Sequence, residues 1–487
     1  MNAEDYANQA ESFLADLNEE YFQHGAGLKE ELALTPIYSR YHGLFELDTV
    51  SALLGDRRSR RGRYLAHFGA FGFVEDDLRE LTEQIAAMEV RSTVEWDGEQ
   101  VPHRKARVLA SNEPDTARRH ELERRIVAAT EELNPQSALR LARAHAVAED
   151  LGFADYVAMC DELAGLGLAR LHDQTQRLLA ATSTAYESVL LAHLASAGIS
   201  PEEATNGDFF FVRRGLGFDP LFTKEGLVPA LTRTLAGLGI ALESQGNVKL
   251  DLEERPQKTP RAFCAPVRVP ADVRLVIRPH GGRDDYSALF HEAGHVEHFA
   301  CTRSEAPFPF RCLGDNSVTE AYAFVIGNLP STPEWLRDVL ELTEFADYLS
   351  LARLVDLNYL RRYSAKLAYE LELHRSPIRD ELAARYAELL GEAVQVRMWP
   401  QNHLYDVDDF FYCACYLRAW MLEVQLRRRL VEQFGPRWFA HKEAGDYLKE
   451  LWSLGQELTA DELAQRLGYP GLQIEPLIED LLSQDDS

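Results

Sequence analysis

Asp285-Tyr286-Ser287-Ala288-Leu289-Phe290-His291-Glu292-Ala293-Gly294-His295 is the stretch on which the reading of this chain turns. It reads as a helix, and two imidazoles four positions apart on a helix stand on one face, one turn above the other. Such a pair can chelate one metal ion, and because both ligands arrive neutral the pair suits zinc. Glu292 lies beside that face, where it can take the proton of a metal-activated water instead of ligating. With 15 histidines in the chain, an accidental H-E-x-x-H has a probability of roughly a few per cent. The surroundings therefore have to support the motif.

A hydrolytic zinc needs a third protein ligand and one open position. The sixth residue past His295, where a third histidine would mark one class of zinc peptidase, is Cys301. The remaining candidate is an acidic residue on the following helix, and Glu320, in Asp315-Asn316-Ser317-Val318-Thr319-Glu320, stands 25 residues past His295 near the start of one. Glu297, His298 and Glu305 compete. His298 shares the helix, but a third ligand there lies too far along the axis.

Working outward, short β-branched or aromatic-rich segments precede the motif: Ile240–Glu243, Val248–Leu252, Ala262–Val269 and Val273–Ile277. They read as strands, and an edge strand beside a metal helix can hold an extended peptide by its backbone. Elsewhere apolar residues recur at three- and four-residue intervals. This periodicity predicts helices over 2–20, 64–92, 116–132, 137–149, 153–165, 170–197 and 224–238, then over 284–301, 317–328, 333–373, 378–397 and 410–434. The character of the chain changes near residue 205. The fold class expected is mainly α, with one small sheet beside the metal helix.

The chain has 487 residues and a formal net charge of −27, which opposes nucleic acid and anionic membranes as partners. Arg57, Arg58, Arg60, Arg61 and Arg63 are the nearest thing to a basic patch, read as a solvated helix face or as ion-pair partners. No stretch approaches the roughly 18 apolar residues of a membrane span. The acidic start, MNAEDYANQAESFLADL, is unlike a signal peptide. The six cysteines show no CxxC pair, and Cys413 and Cys415 read as core residues of a helix. A cytoplasmic protein with reduced thiols is expected.

The sequence resembles the thimet oligopeptidase and oligoendopeptidase F family of zinc peptidases, the gluzincins. That family's pattern, H-E-x-G-H-x-x-H, is matched by His291, Glu292, Gly294, His295 and His298, and its third ligand, a Glu 25 residues past the second His, by Glu320. Lys258-Thr259-Pro260-Arg261-Ala262-Phe263-Cys264 resembles the strand before its motif, and Leu151-Gly152-Phe153-Ala154-Asp155-Tyr156 its recurrent helical motif. The resemblance runs from about residue 120 to 430.

It implies a two-lobed helical metallopeptidase with a deep substrate channel, an N-terminal helical lobe over 1–204 and a catalytic lobe over 205–487, the two interleaved. It implies one zinc ion on His291, His295 and Glu320, with Glu292 as the general base. The family also uses a His followed by tyrosines to steady the oxyanion. His403 matches the His, Tyr412 fits nine positions on, and the position twelve on is Cys415 with Tyr416 next to it, so the donor is Tyr412 or Tyr416. The related angiotensin-converting enzyme family is similar in its metal helix. It has an Asp where Phe324 stands, and Lys and Tyr carboxylate-binding residues where Gln401 and Phe410 stand. The departure favours cleavage inside short unfolded peptides. The rival expectations are a zinc carboxypeptidase or dipeptidyl peptidase, and a zinc-bearing peptide-binding protein without turnover.

Overall fold

The N-terminal helix, Ala3–Gly25, starts on Asn2, whose side chain accepts from the backbone N–H groups of Glu4 and Asp5. This satisfies donors that a helix start leaves open. The computed structural model describes residues 1–375 and 381–483, and helices dominate it. Five short strands complete it: β1 Thr93–Trp96, β2 Glu99–Pro102, β3 Val248–Asp251, β4 Phe263–Arg268 and β5 Asp272–Val276. The fold is mainly α with small sheets, as expected. Among the described residues no helix is long and apolar enough to cross a membrane.

Contacts divide the chain into two compact units. The first holds Met1–Phe73, Leu216–Leu349 and Arg418–Leu477, and the second holds Val74–Gly215, Ser350–Leu417 and the chain from Ile478 on. Three long helices, Arg60–Arg91, Ala346–Arg375 and Tyr412–Phe434, contribute residues to both.

In the first unit the strand order is β3-β5-β4, with β5 parallel to β3 and antiparallel to β4, so β4 is an edge strand. The end of the N-terminal helix presses on β4. A Cβ at Gly25 would meet the Phe263 ring at 2.9 Å, and Thr259 N–H donates to the Gly25 carbonyl at 2.9 Å. Asn247 ties the sheet to the helix Arg283–Cys301, its amide donating to the carbonyls of Pro270 (2.8 Å) and Ala300 (2.9 Å). The arginine cluster serves ion pairs here, Arg60 with Glu462 and Arg61 with Glu4, each at 2.5 Å.

In the second unit a buried ionic network replaces part of the apolar core. Arg119 and Asp208, both 0% exposed, pair at 2.6 Å, and Glu123 accepts from Thr205 Oγ1 and the Gly207 N–H. Buried charges need such partners. Cys413 and Cys415 are buried, as expected.

The structure corrects several boundaries. Ile240–Glu243 is not a strand. Gly239, at φ +69°, ends the helix Lys224–Gly237, and Ile240 N–H closes back on the Leu235 carbonyl at 2.8 Å. Its apolar residues are therefore buried as a helix cap and not as a pleat. The predicted helix over 170–197 is two, Leu168–Ala181 and Ser183–Ser196, broken at Thr182, whose hydroxyl donates to the Leu178 carbonyl. The helix over 333–373 divides into Pro333–Asp338 and Ala346–Arg375, with Glu341 at φ +58° in the break. Of the helix predicted over 378–397, residues 378–380 lie outside the described residues, and Glu381–Val394 is helical. The hairpin β1–β2 was not anticipated.

Candidate metal centre

The motif occupies the helix Arg283–Cys301, here the metal helix. It follows Gly281 and Gly282, at φ +88° and +90°, where a β-carbon would strain the backbone. Asp285 gathers the incoming turn, accepting from His280 N–H (2.6 Å) and Gly281 N–H (2.8 Å). The return helix, Asn316–Gly327, begins on Asp315, whose carboxylate accepts from Ser317 N–H (3.0 Å) and from Ala460 N–H (2.9 Å) and pairs with the buried Arg418 at 2.8 Å.

Two glycines let these helices meet. A Cβ at Gly294 would come within 2.6 Å of the Ala323 Cα, and one at Gly327 within 3.2 Å of the His291 Cα. The approach carries Glu320, at the start of the second turn of the return helix, to the histidines of the metal helix. Glu320 Oε2 stands 3.3 Å from His291 Nε2 and 3.6 Å from His295 Nε2. Two donors each about 2 Å from a tetrahedral zinc ion stand about 3.3 Å apart, so the donor set fits one zinc ion. The three side chains are 21%, 12% and 6% exposed in the order His291, His295, Glu320, which leaves the His291 side open. Burial pushes the Glu320 carboxyl up, but hydrogen bonds to both histidines and their charge outweigh it, and the carboxyl is held well below the usual range.

Thr319, one residue before Glu320, was missed by the sequence reading. Its Oγ1 meets His295 Nδ1 at 2.8 Å and His298 Nδ1 at 3.1 Å. Occupying Nδ1 turns Nε2 of His295 toward Glu320 and fixes the ring. The rivals for third ligand are placed elsewhere. His298 is fully buried against Phe299 and Tyr322 (ring centroids 5.1 and 4.8 Å), and burial pushes its imidazole down to about 3. Glu297 accepts from Gln245 at 2.9 Å, and Glu305 is exposed.

Glu292 is half-buried beside the ligands and turns to the sheet, its Oε2 accepting from the Cys264 backbone N–H of β4 at 2.9 Å. Cys264 belongs to the segment singled out before the motif. Phe324, where the angiotensin-converting enzyme family has an Asp, stacks on Trp420 (5.1 Å, 12°) and lies 5.1 Å from the His291 ring.

His403, Tyr412 and Tyr416 fall in the second unit. His403 ends the 3-10 turn Pro400–His403, and Tyr412 opens its helix directly after Phe410 and Phe411, at φ +55° and +58°. Tyr412 and Tyr416 stand one helical turn apart with ring centroids at 5.1 Å. A second group of donors, Glu370, Asp408 and Cys413, lies in the same unit. There Lys366 Nζ sits 2.8 Å from Asp408 and 3.8 Å from Glu370. A resident ammonium, paired with Asp408, already supplies a cation there, so this group reads as internal packing and not as a metal site.

No protein-family model matches the sequence, and no curated protein matches it. Solved structures do. A structure from Bacillus anthracis str. Ames, assigned as an oligoendopeptidase F, superposes over 98% of this chain and 89% of its own with a TM-score of 0.67 at 13% identity. The fold is that of oligoendopeptidase F. PZ peptidase A, solved with an inhibitor, shares it over 96% of this chain and 85% of its own, with a TM-score of 0.61 at 15% identity. BsuCP shares it over 99% of both chains, with a TM-score of 0.60 at 12% identity. The oligoendopeptidase F fold is the one that the resemblance at the motif implied.

Proposed function

We propose that the chain is a zinc-dependent oligopeptidase that hydrolyses internal bonds of short unfolded peptides. The observation that supports this most is the position of Glu292, held beside the His291–His295–Glu320 donor set and hydrogen-bonded to the backbone of an edge strand. A silent metal scaffold has no use for a carboxylate there. Bound zinc would act as a Lewis acid on water and on the substrate carbonyl. His291, His295 and Glu320 would hold it, with Thr319 orienting His295. Glu292 would take the proton of the attacking water and return it to the leaving amine, the service of a positioned general base. His403 with Tyr412 or Tyr416 would donate to the developing oxyanion.

The preference for unfolded peptides is supported by the ground in front of β4. Cavities of about 550 and 600 Å³ lie between the N-terminal helix and that strand. An extended backbone can slide between a helix and a strand edge. A folded domain must first unfold, at a cost of about 5–15 kcal/mol. The test is digestion of one defined peptide of about ten residues by the zinc-loaded protein, the chelated protein and Glu292→Gln, with product masses read out. Internal cuts by the first alone are expected. Equal cutting by all three, or rapid digestion of a native globular protein, would overturn the reading.

A further inference from the structure

β4 gives one side to β5 and turns the other toward the N-terminal helix. Backbone groups along a strand point to alternate sides. The Cys264 N–H reaches Glu292, so Cys264 and Pro266 are the two positions of β4 whose backbone faces away from β5. Pro266 has no N–H to offer, and its carbonyl accepts from the Asn18 side-chain amide at 2.9 Å. A peptide lying along this edge therefore meets an occupied acceptor two residues beyond the position bonded to Glu292.

The space on both sides of that contact is open. The cavity of about 600 Å³ runs from Thr259 to Cys264 along the strand, and the cavity of about 550 Å³ runs on to Val269 and Phe299. Asn18 and Pro266 line both. Their hydrogen bond therefore stands where the two cavities adjoin, between the N-terminal helix and the strand. Asn is a weak residue for a helix interior, and here its amide spans to the strand instead of facing water.

We propose that Asn18 is a specificity-determining gate, an inference that rests on the peptidase reading above. A peptide short enough to lie in the chamber beside Cys264 leaves the Asn18–Pro266 hydrogen bond intact. A peptide that continues toward Val269 must draw the Pro266 carbonyl away from Asn18 and move the side chain aside. Extension of a substrate past the gate, at one of its two termini, is then penalised.

The test uses the zinc-loaded full chain and three peptides that share one cleaved sequence: a short parent, the parent extended by four residues at its N-terminus, and the parent extended likewise at its C-terminus. kcat/KM for each is measured on the wild type, Asn18→Ala and Asn18→Asp. The aspartate keeps the size of the side chain but cannot donate to a carbonyl. In the wild type one extension should lower kcat/KM, and in both variants the ratio of that extended peptide to the parent should rise about three- to ten-fold, the worth of one hydrogen bond. Equal ratios in all three proteins would overturn the gate while leaving the peptidase reading intact. An equal fall for every peptide in both variants would mark a packing role and overturn it too. A wild type that cuts none of the peptides removes the peptidase reading, and the gate with it.

Discussion

Gly294 lies so close to the return helix that a Cβ on it would stand 2.6 Å from the Ala323 Cα and 2.8 Å from the Tyr322 carbonyl oxygen. Both neighbours are backbone, so neither can swing away. Gly294→Ala must push the two helices apart, at an overpacking cost of about 1–3 kcal/mol. The same displacement carries Glu320 away from His291 and His295. We expect a lower melting temperature together with a zinc affinity reduced at least about ten-fold, measured by competition with a chromophoric chelator. An unchanged affinity would show that the approach of the helices does not set the donor geometry.

The ligand assignment separates by substitution. Glu320→Ala leaves two imidazoles, and the affinity for zinc should fall by orders of magnitude, as for His291→Ala or His295→Ala. His298→Ala should keep one equivalent of metal, because its ring is buried against Phe299 and Tyr322 with Nδ1 on Thr319. Metal content after gel filtration decides this, and loss from His298→Ala alone would exchange the two roles.

Thr319→Val removes the oxygen shared by His295 and His298 while keeping the shape of the side chain. Loss of such an outer partner typically costs 10–100-fold in affinity or activity. Zinc affinity should fall by about that range with all three ligands in place. A fall in stability of the metal-free protein with no change in affinity would confine Thr319 to packing.

How far the sequence reaches depends on which kind of constraint a residue answers to. That His291 and His295 share a face was legible because a helix fixes the spacing of its own face, and that Glu320 comes beside them rested on the 25-residue spacing of the family pattern. Thr319 was not legible, since a hydroxyl acquires its role only when Gly294 and Gly327 bring two helices together, and nothing local records that. The hairpin β1–β2 did carry a signal. Asp97 and Gly98, at φ +52° and +83°, are an Asp-Gly turn of the kind that joins paired strands. Its strands, Thr93–Trp96 and Glu99–Pro102, are four residues each, too short for alternation to stand out beside long helices. Ile240–Glu243 failed the other way, because buried apolar residues at a helix cap and in a strand look alike over four positions.

The last prediction concerns pH and the second unit. Glu370 is fully buried, and burial pushes its carboxyl from an ordinary 4.5 up to about 8, against the opposing pull of Lys366. It accepts from the Asp408 N–H at 2.8 Å and lies 3.1 Å from Cys413 Sγ. Between pH 4.5 and about 8 the folded chain then holds a proton on this group that the unfolded chain has released. Stability must fall as pH rises through that window and level off above it, by up to about 1.4 kcal/mol for each pH unit. Glu370→Gln keeps an acceptor for Asp408 and carries no charge at any pH, while Lys366 retains Asp408 at 2.8 Å. The variant should therefore resemble the wild type near pH 5 and exceed it near pH 8, by about 1 °C in melting temperature for each kcal/mol recovered in a chain of this length. Melting curves of the two proteins across that range test it. A constant offset between them, independent of pH, would mean that Glu370 keeps the same charge in the folded and unfolded chain.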